Sequence, residues 1–354
     1  MTKLIPIASM MAMMFGARVS LATLSERPLL TREFMRFVQW YNKDYRNDHD
    51  ELLYRQTIYM ENKKFIEAMN TEDDHVTYEM NEFGDMSPDE FHMYMKGFAN
   101  TTYNPLLSKT RGCKEYSGET IYQSEIDGVS VDAIDELDWR HHNAVTEVKN
   151  QGQCGSCWSF SSAAAMEGSW SIAGGQLMNL SEQQLMDCSK LYGNMGCNGG
   201  LMDSAFDYAI DYGMCSDVAV PYTAESGSCS SSVQDCQKVA FFDYCMDVPA
   251  NNQVMLRKAV TQMPVSVAIE ADTATFQFYK SGILDSTKCG TTLDHGVVVV
   301  GFGEDNGQEY WTVKNSWGSD WGEDGYIRIA RSDSTDDAGV CGIAMQPSFI
   351  HADI

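Results

Sequence analysis

The sequence predicts an α+β protein in which a helical N-terminal segment precedes a helical lobe and then a β-rich lobe. Apolar residues recur at helical spacing over 32–70, with a break near 44–49. A further helix is predicted over 158–171, inside a mainly helical region that extends over about 142–245. From about 246 to 345, β-branched and polar residues alternate, as in strands with one buried face. A chain of 354 residues is long enough for two or three domains.

Residues 1–22 have the composition of a secretory signal peptide. Lys3 precedes an apolar stretch from Leu4 to Ala17, and small residues at the usual recognition positions end at Ala22. The apolar stretch is too short to stay in a membrane as a spanning helix. We therefore expect cleavage after Ala22 and entry into the secretory pathway, with a lysosome, a vacuole or the cell exterior as destination. This route permits disulfide bonds.

The charge balance excludes two classes of partner. The chain carries 25 basic and 50 acidic residues, a formal net charge of −25. Nucleic acids and anionic membranes repel such a chain, so we expect neither as a partner. Hydrophobic residues make up 44% of the sequence, which is ordinary for a globular protein with a buried core.

One face of the helix predicted before residue 70 carries a regular set of side chains. Successive members are four, four, three, four and four positions apart, which places all of them on one helical face. They are Glu51, Arg55, Tyr59, Asn62, Ile66 and Asn70. The first two have the spacing of an i,i+4 ion pair. By itself such a stripe indicates helix packing and nothing more specific.

The most informative motif is the octet Gln151-Gly152-Gln153-Cys154-Gly155-Ser156-Cys157-Trp158. It places the Cys157 thiol at the start of an apolar-patterned helix, where unpaired N–H groups and the helix dipole favour the nucleophilic thiolate. On its own the octet also fits a CxxC redox pair with Cys154, or a buried structural cysteine.

Two later positions supply groups that a nucleophilic cysteine needs. His295 opens a β-branched run, and Asn315 ends another strand-like segment. They follow Cys157 by roughly 140 and roughly 160 residues. Peptide-bond cleavage by a thiolate needs a proton donor for the leaving amine and a group that orients this donor. An imidazole and a side-chain amide oxygen can fill these two roles.

With these motifs together, the chain resembles a papain-like cysteine protease zymogen of the cathepsin L type. That family has the same cysteine motif, with a histidine and an asparagine about 130–150 residues downstream. Asn315 lies slightly beyond that range. Further motifs follow in the order that the family shows, namely Asp138–Arg140, Val145–Asn150, Ser181–Cys188 and Gly196–Asp203.

The helical stripe resembles the ERFNIN pattern of cathepsin L-like propeptides. Asn81, Phe83 and Asp85 match most of the companion GxNxFxD motif, in which Glu79 replaces the glycine. The resemblance implies an inhibitory propeptide domain at 31–90 that acts as an intramolecular inhibitor. We expect autocatalytic maturation at acidic pH, driven by protonation of carboxylates that hold the propeptide, Asp85 among them.

The resemblance also implies the organisation of the rest of the chain. Residues 91–132 would form a cleft strand and a processing linker, and the peptidase would occupy 133–354, with a mature start near Ala133. Its papain-like two-domain fold would consist of a helical left lobe (142–245) and a β-barrel-like right lobe (246–345). The catalytic residues would face each other across the cleft between the lobes.

The same resemblance assigns the reaction to named residues. Cys157 would attack the peptide carbonyl, and His295 would hold the thiolate as an ion pair and then protonate the leaving nitrogen. Asn315 would orient the imidazole. The Gln151 amide and the backbone N–H of Cys157 would form the oxyanion hole. Neither a cofactor nor a metal is implied.

A larger set of residues is implied to contact the substrate. Its members are Gly199, Gly200, Leu201, Met202, Ala268, Leu293, Asp294, Gly296, Trp317 and Gln346. Most of those at the pocket for the second residue before the cut are small or apolar, so Leu, Phe or Val is expected there. Gln346 at the pocket floor is neutral and lacks the carboxylate that would attract Arg. Trp317 would cover the hydrogen bond between Asn315 and His295.

The disulfide pattern is partly implied by the resemblance, which suggests Cys154–Cys197, Cys188–Cys229 and Cys289–Cys341. This commitment of Cys154 argues against the redox interpretation of the CxxC pair. Cys113 lies before the expected mature start. Within the expected peptidase, Cys215, Cys236 and Cys245 then have no assigned partner. We hypothesise an additional Cys215–Cys236 bond and a free, buried Cys245.

The expected function is that of a cysteine endopeptidase that cleaves polypeptides, acts as a monomer and can be bound by cystatin-like inhibitors. The alternative is a catalytically silent papain-fold binding protein, but such a protein would be expected to have lost Cys157, His295 or Asn315. A propeptide-type inhibitor would lack the peptidase part, and a thiol–disulfide oxidoreductase would need both cysteines of the CxxC pair free. Sequons at Asn100 and Asn179 are candidate glycosylation sites.

Overall fold

The computed structural model describes residues 29–72, 75–95, 97, 112–121, 125–126, 129–130, 133–285, 288–352 and 354. The expected signal peptide and the sequon at Asn100 lie outside these residues. The chain divides into two compact units between residues 56 and 57. None of the helices in the described ranges is both long enough and apolar enough to cross a membrane.

The first unit contains one short helix and the beginning of a long one. These are α1 (Arg32–Trp40) and α2 (His49–Glu72), and a 3-10 turn over Asp44–Asn47 lies between them. The turn is the break that the hydrophobic pattern predicts. Glu51 and Arg55 form the i,i+4 ion pair that their spacing predicts, with 2.7 Å between nitrogen and oxygen.

The second unit continues with short elements that precede residue 133. They are β1 (Val76–Tyr78), α3 (Pro88–Met95), β2 (Lys114–Glu115), β3 (Glu125–Ile126) and β4 (Val129–Ser130).

Two asparagines of the helical stripe bind the backbone that follows α2. The Asn62 amide donates to the carbonyl oxygens of Gly84 and Met86 (2.9 Å each). Asn70 exchanges two hydrogen bonds of 2.8 Å with the backbone of Tyr78. The stripe therefore holds the next part of the propeptide in place as well as packing the helix.

The GxNxFxD-like motif binds the backbone at Gln277 and Phe278. The N–H of Glu79, which replaces the glycine of the motif, donates to the Phe278 carbonyl (2.9 Å). The Asn81 amide donates to the Gln277 carbonyl (2.6 Å), and the Gln277 amide donates back to the Phe83 carbonyl (3.0 Å). These reciprocal bonds satisfy buried polar groups on both sides of the contact.

The peptidase contains six further α-helices in the described part of the chain. They are α4 (Cys157–Ile172), α5 (Glu182–Cys188), α6 (Met202–Tyr212), α7 (Ser231–Gln234), α8 (Gln253–Val260) and α9 (Ala274–Gln277). Its 3-10 helices cover Trp139–His142, Ser189–Tyr192 and Val340–Gly342.

Most of its strands lie in the second half of the peptidase. They are β5 (Leu137–Asp138), β6 (Met214–Cys215), β7 (Lys238–Ala240), β8 (Tyr244–Asp247), β9 (Val265–Ile269), β10 (Tyr279–Leu284), β11 (His295–Asp305), β12 (Gln308–Lys314), β13 (Tyr326–Ala330) and β14 (Ser348–His351). With helices and mainly antiparallel strands in one chain, the predicted α+β class is confirmed.

The main sheet follows the path β1-β10-β13-β12-β11-β9-β14-β8-β2, and β5 pairs with β11. Over the described residues this path does not close, so the right lobe is built on an open sheet where a barrel-like one was expected. The two end strands, β1 and β2, both precede residue 133, and each covers one edge of the sheet.

The register of the sheet brings two of the candidate site residues together. β11 and β12 are antiparallel, with Val298 opposite Lys314, and β9 lies on the other side of β11 with Ile269 opposite His295. The start of β11 and the end of β12 therefore lie side by side at the same end of the strands. His295 begins β11 and Asn315 directly follows β12, so both residues lie at that end of the sheet.

Five disulfide bonds are present in the described residues, namely Cys113–Cys245, Cys154–Cys197, Cys188–Cys229, Cys215–Cys236 and Cys289–Cys341. The structure thus contains the bonds that the resemblance suggests and the hypothesised fourth bond. The expectation of a free Cys245 is wrong. Parallel pairing of β2 with β8 brings Cys113 beside Cys245, with 4.7 Å between their Cα atoms, which suits a disulfide.

A cluster of carboxyl groups beside this bond predicts a stability that depends on pH. Burial raises the pKa of Asp247 to about 7, and the charges of Asp203 and Asp207 add to the rise. An unfolded aspartate has a pKa of about 4. Protonation therefore favours the folded state: the contribution of Asp247 to stability is complete below about pH 4 and is lost as the pH rises through about 7.

The change Asp247→Asn removes the ionisation and should raise the melting temperature at pH 8 by about 2–4 °C, with little change at pH 4.5. Thermal melts of the zymogen, in a Cys157→Ala background that prevents self-digestion, measure the effect. Asp320→Asn, at an exposed position, is the matched control. Equal shifts at both pH values would contradict the prediction.

Candidate active site

Cys157 is the first residue of α4 and is completely buried. It is the free cysteine of the described residues. Cys154 is bonded to Cys197, so the CxxC pair cannot cycle between thiol and disulfide as a redox pair. Burial raises the pKa of the Cys157 thiol to about 12, although the backbone N–H of Gly296 opposes the rise.

The imidazole of His295 is oriented by Asn315. The two side chains are joined by a hydrogen bond of 2.8 Å between Nε2 and Oδ1. The same Oδ1 accepts the backbone N–H of Ser316 (2.8 Å), which fixes the amide oxygen on this side. Nε2 must then be the donor, so the proton of the neutral ring lies on Nε2 and Nδ1 is left as the basic nitrogen.

The closed zymogen favours uncharged catalytic groups. Burial lowers the pKa of His295 to about 4, although the hydrogen bond that Nε2 donates to Asn315 works in the opposite direction. Burial thus disfavours the thiolate of Cys157 and the imidazolium of His295 alike, because each charge would lose its contact with water.

Gly97 lies close to the Cys157 thiol. A Cβ atom on Gly97 would lie only 2.8 Å from Cys157 Sγ and equally close to the backbone carbon of Gly155, so a residue without a side chain is required there. The carbonyl of Gly97 accepts the N–H of Gly200 (3.2 Å). The backbone of Gly97 thus occupies a position at which the sequence analysis expects substrate backbone.

Gln151 is completely buried and has partners on both sides of its amide. Its Nε2 donates to the Cys154 carbonyl (2.9 Å), and its Oε1 accepts from the Ser316 hydroxyl (2.7 Å). The Tyr222 hydroxyl donates to the main-chain carbonyl of Gln151 (2.7 Å) and lies 2.6 Å from the Ser156 hydroxyl. Tyr222 thereby connects Gln151 with the residue that precedes Cys157.

Sequence reasoning missed Tyr222, although it links the backbone of Gln151 with the side chain of Ser156, which precedes Cys157. Its separation of 66 residues from Ser156 follows no periodic pattern. No local signal could therefore have identified it.

Trp317 lies against the imidazole within a cluster of aromatic rings. Its ring centroid is 4.9 Å from that of His295, and Phe276 packs edge-on at 5.5 Å. Two propeptide rings, Phe83 and Phe91, also meet Trp317 edge-on at 5.4 and 5.7 Å. The cluster excludes water from the His–Asn hydrogen bond, and in the zymogen the propeptide completes it.

Four of the residues assigned to the substrate pocket share one apolar cluster, namely Leu201, Met202, Ala268 and Leu293. Gly296 lies opposite Ala268 in the sheet, and a Cβ atom there would be 3.2 Å from Met202 Sδ. A side chain at Gly200 would collide with the ring of Trp158 and with Asn194. The small residues therefore keep this surface open and apolar.

Other residues of the sequence-derived set have different surroundings. The Asp294 carboxylate accepts the backbone N–H groups of Ala271 (2.8 Å) and Asp272 (3.4 Å), and burial raises its pKa. The Asp294 carboxylate is therefore hydrogen-bonded to the backbone of a neighbouring loop. Gln346 is exposed. Gly199 has a left-handed backbone, with φ of 105°, which a glycine adopts without strain.

Possible metal ligands converge at one place in the described residues, where side-chain atoms of Cys113, Asp203 and Asp247 lie within 4.8 Å of one another. The Cys113 sulfur is committed to the bond with Cys245 and is not a free thiolate. The remaining pair of carboxylates is incomplete as a ligand set.

Comparison with known proteins finds similarity over most of the chain. Residues 133–351 match the papain family cysteine protease domain, and residues 34–91 match the cathepsin propeptide inhibitor domain. A thiol protease of Hemerocallis is 44% identical over 305 residues, which cover 85% of this chain and 81% of that protein. A cysteine endopeptidase of Oryza sativa subsp. japonica is 43% identical over 306 residues, or 86% of this chain and 79% of that protein.

Solved structures agree with the sequence relatives. A digestive procathepsin L from the larval midgut of Tenebrio molitor is similar with a TM-score of 0.75 at 40% identity, and covers 92% of this chain and 99% of its own. The bromelain protease of Ananas comosus, solved with the inhibitor E64, has a TM-score of 0.59 at 42% identity and covers 62% of this chain and 100% of its own.

Proposed function

This chain belongs to the papain family of cysteine proteases, and on that basis we propose that Cys157, His295, Asn315 and Gln151 carry out its peptide-bond cleavage. The chain is a cysteine endopeptidase zymogen with a propeptide inhibitor domain. One observation carries the residue assignment. The free cysteine begins a helix, while the sheet register brings His295 within 2.8 Å of Asn315.

The proposed mechanism begins when the propeptide leaves the cleft. Water then reaches the thiol, the effect of burial on its pKa falls, and proton transfer from Cys157 to Nδ1 of His295 gives thiolate and imidazolium. The thiolate attacks the peptide carbonyl, whose oxygen becomes anionic and accepts N–H donors from Gln151 and from the Cys157 backbone.

His295 next protonates the leaving amine, and an acyl-enzyme thioester remains on Cys157. Water attacks this thioester with the imidazole as base, which releases the acid product and restores the thiol. Asn315 keeps Nε2 hydrogen-bonded throughout, so that Nδ1 stays directed to the reacting atoms.

Labelling with an epoxide of the E64 type tests this assignment. Peptide mass mapping of the matured enzyme should find Cys157 as the modified residue, with activity lost in proportion to labelling. Unprocessed zymogen is the control, since its buried thiol should react slowly. Activity that survives complete labelling of Cys157 would refute the assignment, and an unreactive matured protein would favour the silent papain-fold binding protein.

We propose a bulky apolar residue at the second position before the cut. The apolar cluster of Leu201, Met202, Ala268 and Leu293 supports this preference. Leu or Phe should exceed Arg by at least about tenfold in kcat/KM, or about 1.4 kcal/mol, because the pocket offers no carboxylate to a guanidinium. A library of fluorogenic peptides measures the ratio.

The variant Gln346→Glu is a specific control for the predicted preference for Leu or Phe over Arg. The Gln346 side chain is exposed, so Gln346→Glu changes charge at nearly constant shape without disturbing the core. If Gln346 lies at the pocket floor, this variant raises kcat/KM for Arg peptides and leaves Leu peptides nearly unchanged. An unaltered Arg/Leu ratio would remove Gln346 from the pocket.

We propose that Tyr222 positions the oxyanion hole. The change Tyr222→Phe removes the donor to Gln151 and the contact with Ser156, and should lower kcat by about 5–30-fold with little change in KM. Tyr208→Phe is the control, because Tyr208 is a buried tyrosine whose hydroxyl is also hydrogen-bonded, but to Gln184 in the helical core.

Two inhibitors separate positioning from a general structural effect of Tyr222→Phe. A peptide aldehyde forms a tetrahedral adduct that uses the oxyanion hole, so its affinity should fall with kcat. Iodoacetamide alkylates the thiol without an oxyanion, so its rate should stay within about twofold of wild type. A parallel loss in both measurements would indicate a distorted thiol instead.

The remaining proposals concern boundaries and location. We retain the propeptide domain at 31–90, the cleft strand and linker at 91–132, and the peptidase at 133–354, which the two domain matches support. We also propose the secretory pathway as the route, with a lysosome, a vacuole or the exterior as destination, and cystatin-like inhibitors as partners. Five disulfide bonds support that route.

A further inference from the structure

Cys113 pairs with a cysteine that belongs to the peptidase. The chain has 11 cysteines, of which Cys157 is free and the others form the five disulfide bonds. Cys245 lies in β8 and is 3% exposed, whereas Cys113 precedes the expected mature start at Ala133 by roughly 20 residues. A peptidase that lost everything before Ala133 would retain an unpaired, buried thiol at Cys245.

Residues 112–121, which we call the Cys113 segment, form part of the peptidase sheet. Strand β2 within it pairs in parallel with β8. The N–H of Tyr116 extends this pairing by donating to the Asp247 carbonyl (2.9 Å), and the N–H of Ile121 donates to the Gln262 side chain (2.8 Å). Removal of the segment would expose the polar edge of β8, which proteins generally keep covered.

Tyr116 anchors the Cys113 segment in the core. Its side chain is 1% exposed and meets the ring of Phe349 edge-on, with 5.2 Å between centroids. Its hydroxyl donates to the Glu119 carbonyl (3.0 Å), so burial leaves no unsatisfied donor. Outside the core, the Lys114 ammonium lies 5.3 Å from the centre of the Tyr244 ring. The disulfide is thus one of several contacts that hold the segment.

These contacts are separate from those that inhibit the enzyme. The Cys113 segment meets β8, β14 and α8, and the N–H of Gly112 donates to Asp207 of α6 (3.2 Å). The propeptide residue at the thiol is Gly97, and Phe83 and Phe91 lie against Trp317. Departure of the inhibitory residues up to 97 therefore does not require departure of the segment.

We propose that the Cys113 segment stays on the mature enzyme as a disulfide-linked edge strand, and that only cleavage N-terminal to Cys113 releases the inhibitory propeptide. The proposal rests on the protease zymogen function above. Hydrolysis of a bond between Cys113 and Ala133 adds one water across that bond but leaves the disulfide intact. The inhibitory part then remains tethered at a high local concentration.

The same hydrolysis on the N-terminal side of Cys113 frees the inhibitory part. No oxidant or reductant takes part, because the disulfide is neither formed nor broken during maturation. The segment and the disulfide thus decide which cuts activate the enzyme.

Peptide mapping of the matured enzyme without reduction tests the retention. The expected result is a cross-linked peptide that joins Cys113 to Cys245 in protein whose Cys157 has been labelled by the epoxide. The same map after Cys157→Ala zymogen has been trimmed by pepsin makes the test independent of the chain's own activity. Trimmed or matured protein that contains no residue of the Cys113 segment would overturn the proposal.

A site-specific cut distinguishes the two sides of Cys113. A recognition site for an unrelated protease, placed at residues 122–124, is cleaved in the zymogen, and labelling of Cys157 by the epoxide is then timed after dilution. Wild-type cysteines should keep both fragments together on a denaturing, non-reducing gel, and labelling should stay at the zymogen rate. In Cys113→Ser/Cys245→Ser the fragments should separate and labelling should accelerate at least tenfold.

Cys215→Ser/Cys236→Ser is the matched control, because it removes a disulfide of the peptidase and leaves the tether. Its fragments should stay linked after the same cut. Rapid labelling of cleaved protein with the tether intact would refute the claim that cuts after Cys113 fail to activate.

Discussion

Peptidase activity falls by a factor on the order of 10⁴–10⁶ when Cys157 is replaced by alanine, because the acyl-enzyme route then has no nucleophile. The variant zymogen is trimmed in trans by wild-type enzyme, which is inactivated with the epoxide before the assay. Hydrolysis of a Leu- or Phe-containing peptide gives kcat/KM. The substitution lies at the first turn of α4, and the fold should persist, since Ala favours helices.

Two further measurements make this result specific. Thermal melting of the Cys157→Ala zymogen should stay within a few degrees of wild type, and tight binding of a reversible peptide inhibitor should persist after trimming. His295→Ala should lower kcat/KM by a comparable factor, and in the double variant the losses should not add, because thiol and imidazole act as one unit. Undiminished hydrolysis by Cys157→Ala would show that another residue is the nucleophile.

Loss of Phe83 should release the zymogen from inhibition. Phe83 is 1% exposed and packs against Trp317 and against the propeptide rings of Phe91 and Tyr94. Truncation of a buried phenylalanine to alanine removes about 3–5 kcal/mol of packing. If this loss destabilises mainly the state in which the propeptide covers the active site, Phe83→Ala should speed up labelling of Cys157. We expect the epoxide to label Cys157 in uncleaved zymogen on the order of 100-fold faster or more.

The comparison requires a propeptide aromatic that is not in this cluster. Tyr54 is 51% exposed, so Tyr54→Ala serves as the matched control and should leave the labelling rate nearly unchanged. Labelling is measured at neutral pH in a Cys113-containing, uncut chain, so that release by proteolysis does not contribute. A Phe83→Ala zymogen that labels as slowly as wild type would show that the aromatic cluster does not hold the propeptide closed.

Short-range patterns in the sequence determined the local structure, including the helix start that carries the candidate nucleophile. The stripe from Glu51 to Asn70, the break at 44–49 and the helix start at Cys157 depend on neighbours within one or two turns. The same holds for the i,i+4 ion pair of Glu51 with Arg55. Such relations can be predicted directly from the spacing of residues in the sequence.

Only the tertiary structure decided which distant groups meet. Cys245 was expected to be free, but parallel pairing of β2 with β8 gives it Cys113 as a partner, 132 positions away. Tyr222 reaches Gln151 and Ser156 across the fold.

Burial at the start of α4, where Gly97 lies close to the thiol, raises the pKa of Cys157, whereas the helix dipole favours the thiolate. The physical reason is the same in each case. Disulfides, hydrogen bonds and desolvation act over a few ångströms in space, and the sheet register that brings distant residues this close is a property of the whole chain.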